Sequence, residues 1–151
     1  MRITAQLIIV MASLASASGA WAEDKATPSS VDTQKHSAAI ANAMSQASGV
    51  QQIVSAYHQR TNAFPSTNQE ASVKPGPSLA SPYVKSIDVQ ANGVVVATLT
   101  ETSGVDGGTI VFTPTVSQNT DEGVVDWKCT SPSYSTISDD TGGVCEYSKL
   151  P

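Results

Sequence analysis

The sequence predicts an α+β fold, with one long N-terminal helix packed on a four-stranded antiparallel sheet and a disulfide-closed C-terminal loop. Three observations predict it. Apolar residues recur every three or four positions through Ile40, Ala43, Met44, Ala47, Val50, Val54 and Tyr57, which draws one stripe down one side of a helix. After Pro82 the pattern changes to short β-branched runs separated by Asn92-Gly93, Gly107-Gly108 and an acidic turn ending in Gly123, as expected of hairpins. Two cysteines, Cys129 and Cys145, bracket the last part of the chain, and in an oxidising compartment an even pair most simply forms one disulfide. The other reading, free or metal-bound thiols, lacks His or Cys partners at ligand spacing.

The chain has 151 residues, 40% of them apolar and 14% charged, which suits one folded domain. Its 8 basic and 13 acidic residues give a net charge of -5. No electrostatic footprint for phosphate backbones or anionic lipid is present, so no nucleic-acid partner is expected. Residues 1–22 read as a signal peptide: Arg2 supplies the positive start, Ile3 to Ala15 the apolar stretch, and Ala20-Trp21-Ala22 the small-x-small cleavage pattern. The stretch is short for a bilayer helix and contains Thr4, Gln6 and Ser13, so no membrane span is expected after cleavage. Residues 23–30 are then a flexible polar N-terminus and residues 31–151 the globular domain.

The helix is expected from Val31 to Arg60, with Ser29 or Ser30 as N-cap and Asp32 in the first turn. Gly49 interrupts it at about 1 kcal/mol relative to alanine, and marks a bend or a close approach. Pro65 disfavours helical geometry at Phe64 and ends the run. Ser66 to Pro82 holds Pro75, Pro77 and Pro82 and is expected as a loop. Four strands follow: Tyr83–Ala91, with Lys85, Ile87, Val89 and Ala91 on one side, then Val94–Glu101, Thr109–Val116 and Val124–Cys129, joined as a meander. Thr130 to Val144 has no core pattern and is expected as an irregular loop pinned to the sheet edge by the disulfide. The expected core joins Ile40, Met44, Ala47, Val50, Val54 and Tyr57 to Ile87, Val89, Val95, Leu99, Ile110, Phe112, Val125 and Trp127. Register within Val94-Val95-Val96 is open, because a one-residue slip exchanges the faces.

The segments from Ala38 to Pro151 resemble, in order, the globular head of type IV pilins. The resemblance rests on the tyrosine, polar spacer and Phe-Pro of Tyr57 to Pro65, on Tyr83-Val84 with the Asn92-Gly93 hairpin, on Phe112-Thr113-Pro114, and on Trp127-Lys128-Cys129 paired with Cys145. It implies that the Cys129–Cys145 loop corresponds to the family's D-region. It also implies a structural or protein-interaction role with a pilus component as partner. The N-terminus departs from the family, whose members begin with a short basic leader, Phe-Thr-Leu-Ile-Glu and an uninterrupted apolar helix. The expectation is therefore an exported, soluble pilin-like head, found in the periplasm or with pili. The alternatives are a periplasmic inhibitor or immunity-type module and a secreted adhesin.

No catalytic residues, cofactor or metal are expected. His36 and His58 are the only histidines; the rise between them is about 33 Å, too far to share a metal, and both are expected to be solvated. Asp121, Glu122, Asp126, Asp139, Asp140 and Glu146 are concentrated in the C-terminal third. Their spacing fits no EF-hand, so a solvated acidic rim is the main reading and a structural calcium site the lesser one. There is no G-x-S-x-G, the serines are expected in loops without a nearby His, and the disulfide takes both cysteines, so nucleophilic catalysis has no support. Gly107-Gly108 precedes a strand and not a helix, so it reads as a turn and not a phosphate cradle. Trp127 and Tyr57 are expected in the core.

Overall fold

A computed structural model describes residues 28–117 and 124–149, with residues 28–33 described in backbone only. The signal-peptide reading of residues 1–22, and Asp121 and Glu122, fall outside the described residues. Helix α1 runs Pro28–Thr61. It opens on a proline, whose missing N–H costs nothing in the first turn, so Ser29 and Ser30 lie inside the helix and do not cap it. It closes on Asn62 at φ 57, whose N–H donates to the His58 carbonyl at 2.8 Å, a left-handed cap. Ala39, Ile40, Ala43, Ala47, Val50 and Val54 are buried, and Met44 packs partly against them. The stripe then advances by four, so that His58 takes the last inward position, its ring stacked 4.4 Å from that of Phe64. Tyr57 is displaced to the margin, where its hydroxyl donates to Glu70 Oε1 at 3.0 Å; it is not the core residue expected.

The connection between helix and sheet is ordered by its own contacts. Ala71 and Val73 are buried, and a short 3-10 turn spans Gly76–Leu79. The Asn68 side chain accepts from the Val89 N–H and donates to the carbonyls of Ile87 at 3.0 Å and Lys74 at 2.8 Å. The Ser81 N–H donates to the Val84 carbonyl at 2.8 Å, and the Val84 N–H to Ser81 Oγ at 3.2 Å. One amide and one serine thus occupy backbone groups of Val84, Ile87 and Val89 on the outward edge of the first strand, an edge that is otherwise a template for strand addition.

The sheet has five strands, not four: β1 (Val84–Val89), β2 (Val95–Leu99), β3 (Thr109–Val116), β4 (Val125–Ser131) and β5 (Cys145–Tyr147), side by side in that order. The first four pair antiparallel, and β5 lies parallel to β4. A register shift between Val84 and Ser86 turns Val84 inward together with Ile87 and Val89. Lys85 faces solvent instead of sharing their side, and pairs with Asp106 at 2.7 Å. Asn92 and Gly93 both adopt positive φ; a Cβ at Gly93 would stand 2.9 Å from the Phe64 ring, so that turn fits beneath the helix end only as glycine. Register is settled with Val95, Ala97 and Leu99 buried.

The C-terminal segment is part of the core, contrary to the expectation of an irregular loop. Cys129 and Cys145 are joined by a disulfide across β4 and β5, with Cα atoms 4.6 Å apart. Between them Tyr134 is 2% exposed and Ile137, opening the short helix α2 (Ile137–Asp140), is 0% exposed. Tyr134 Oη and Ser103 Oγ share a 2.6 Å hydrogen bond, and Ser131 Oγ donates to the Thr109 carbonyl at 2.6 Å. A Cβ on Gly108 would meet Tyr134 Oη at 2.2 Å, so the ring sits where only glycine leaves room. Ile137→Ala should cost about 2–5 kcal/mol in urea unfolding, whereas Ser138→Ala on the exposed side of α2 should stay within about 0.5 kcal/mol. Cys145→Ser should cost about 3 kcal/mol while leaving the far-UV circular dichroism of helix and sheet in place.

Candidate functional site

Between Ser37 and Gln59 the helix carries no Asp, Glu, Lys or Arg. Ala38, Ala41, Ser45, Gly49, Gln52 and Ala56 are all exposed and follow one another at helical spacing on the side away from the sheet. A solvated helix face is ordinarily charged; this one is neutral and mostly small. A Cβ built on Gly49 would meet nothing within 4 Å, so nothing in the fold requires glycine there. Beside it runs an open apolar groove of about 410 Å³, lined among others by Val50, Ile53, Val73 and Leu79, with Ile53 39% exposed.

The N-terminal half of α1 is fastened to the disulfide-closed segment through His36. Its Nε2 lies 2.9 Å from Asp140 Oδ2, its Nδ1 bonds the Ser103 carbonyl, and its ring meets Tyr134 edge-on at 5.0 Å. Ser37 Oγ donates to Asp140 Oδ1 at 2.7 Å and Thr136 Oγ1 to Oδ2 at 2.9 Å. Burial pushes the Asp140 carboxyl up, but the Ser37 and Thr136 hydroxyls and the neighbouring His36 outweigh it and hold the group below its ordinary 3.8. Neither histidine is simply solvated. His36 is half-buried in this cluster, and His58 is buried with no hydrogen-bond partner at Nδ1 among the described residues. The two remain on one helix and share no site.

The acidic residues do not converge. Asp126 and Asp139 are exposed, Glu146 pairs with Lys128 at 3.2 Å, and Asp140 is occupied by the donors above. Among the described residues no group of three or more His, Cys, Asp or Glu is placed to hold a metal ion. Trp127 and Val125 are half-buried rather than central, because they lie near the end of β4 where the helix no longer covers the sheet; the Trp127 indole N–H donates to Ser55 Oγ at 3.3 Å. The His36 cluster draws on residues about 100 positions apart, which no local motif announces. Its one sequence cue is that His36 stands four residues before Ile40 on the inward stripe.

The model of the pilin family, described as a bacterial filament protein, matches residues 36–141. The chain therefore belongs to the pilin family, and the match runs from His36 in α1 through β1 to β4 and α2, ending before β5. No curated protein matches the chain. Membership defines a pilus-related structural protein with the α+β pilin-like fold, from a family that assembles with other pilus proteins. Among the described residues no helix is long and apolar enough to cross a membrane.

Because the Asp140 carboxyl is held below its ordinary value in the fold, it contributes stability above that value and loses it as pH falls through the lower folded one. Urea unfolding of Asp140→Asn should show a deficit at neutral pH that shrinks as the carboxylate range is crossed. A deficit that stays constant to low pH would assign the cluster's contribution to shape alone.

Proposed function

We propose that this chain is an exported pilin-like protein that docks against other pilus subunits through the outer face of α1. On this reading residues 1–22 form the signal peptide and residues 31–151 act as the globular unit, after passage to the periplasm. Gly49 carries the proposal. A glycine inside a helix costs about 1 kcal/mol relative to alanine, and the fold leaves room for a side chain there, which suits close approach by another molecule. The neutral, small-residue face around it suits a neighbouring helix better than bulk water does. The bonded backbone groups of Val84, Ile87 and Val89 argue against strand addition at the β1 edge.

Gly49→Ala separates the two demands. The isolated variant should be more stable by about 0.5–1 kcal/mol in thermal unfolding, while the amount sedimenting with sheared pili should fall. A stabilised variant that sediments as well as the parent would remove α1 from the interface. A parent protein confined to the periplasm would instead fit an inhibitory or immunity-type module, and one free in the medium a secreted adhesin.

A further inference from the structure

The flank of α1 that faces β4 differs in chemistry from its outer face. There Trp127, with Ser55, walls an open groove of about 350 Å³ whose other polar lining is Ser48, Gln51, Gln52 and Gln59. No ionisable side chain lines it. Among the described residues, none of the Ser48, Gln51, Gln52 and Gln59 side chains makes a hydrogen bond to the protein. The opposite flank is different: Gln46 donates to Asn42 Oδ1 at 2.7 Å and Ser81 Oγ to the same oxygen at 3.2 Å, so those amides are occupied by the fold. Three free amides, a free hydroxyl and one indole therefore converge on a single concave surface.

We propose that this groove binds a neutral saccharide. Each glutamine offers a donor and an acceptor at fixed separation, which matches adjacent sugar hydroxyls that are themselves donor and acceptor. The indole supplies the apolar wall against which the C–H face of a sugar ring sheds water. The absence of a charged lining gives acidic or basic ligands no advantage, and the groove's volume falls at the small end of ligand sites. A proline-rich peptide, the other neutral ligand of aromatic grooves, is held by an aromatic-lined trough, and this groove has a single aromatic residue. The site adjoins the pilus-docking face and shares Gln52 and Ala56 with it.

The test is a titration of the isotope-labelled full chain with cellobiose, lactose and N,N′-diacetylchitobiose, following the Trp127 indole N–H by NMR, its signal assigned through Trp127→Phe. At least one of the three should shift that signal saturably, and Gln51→Ala, which keeps the indole probe on an otherwise unchanged spectrum, should weaken the affinity up to about tenfold. Three results would each overturn the proposal: no saturable shift with any of the sugars, a shift of equal affinity in Gln51→Ala, or a response to a proline-rich peptide where the sugars give none.

Discussion

Ala39, Ala43 and Ala47 leave only methyl groups between the α1 backbone and the sheet, and Val95, Ala97 and Leu99 of β2 are buried opposite. Short side chains on the helix let it lie close to the sheet, and closeness is what excludes water from so small a core. The position of the helix then fixes the rest. It packs over β1, β2 and the turn at Glu101–Ser103, which leaves the inner side of β4 and β5 to be closed by the segment holding Tyr134 and Ile137. Where neither cover reaches, near the free end of the β3–β4 hairpin, Val116 and Val124 stay exposed and Trp127 is only half covered.

Much of this was legible in the residues. β3 runs Thr109–Val116 as its alternation indicates, the Asn92-Gly93 turn adopts the positive φ pair its composition calls for, and the apolar stripe of α1 is the buried one. What escaped reading was set by tertiary context. The bulge that exchanges Lys85 for Val84 needs only one extra residue in one strand, and leaves no compositional mark. Strand β5 is three residues long, too short for a period, and gains its place from the disulfide and a parallel partner. Tyr134 and Ile137 are single apolar residues in a polar stretch, and the burial of Tyr134 depends on Gly108 and Ser103 being where the distant chain puts them.

The candidate surfaces were less legible than the fold. The neutrality of α1 is visible in sequence, but that Gly49 has empty space around it is a property of the packed molecule. The same holds for the groove at Trp127: an aromatic residue in a strand reads as core until the helix is seen to stop short of covering it. His36 and Asp140 could be suspected singly, never as a pair.

That pairing joins positions 104 residues apart, and β5 (Cys145–Tyr147) closes the sheet near the end of the described residues. A contact as distant in sequence as His36–Asp140 forms late, since the loop it closes must be gathered first. A nascent chain emerging from its N-terminus thus has its longest helix early and the fastening for it nearly last. Until Asp140 and Cys145 have emerged, neither the contact that ties α1 to α2 nor the disulfide that ties β4 to β5 can form.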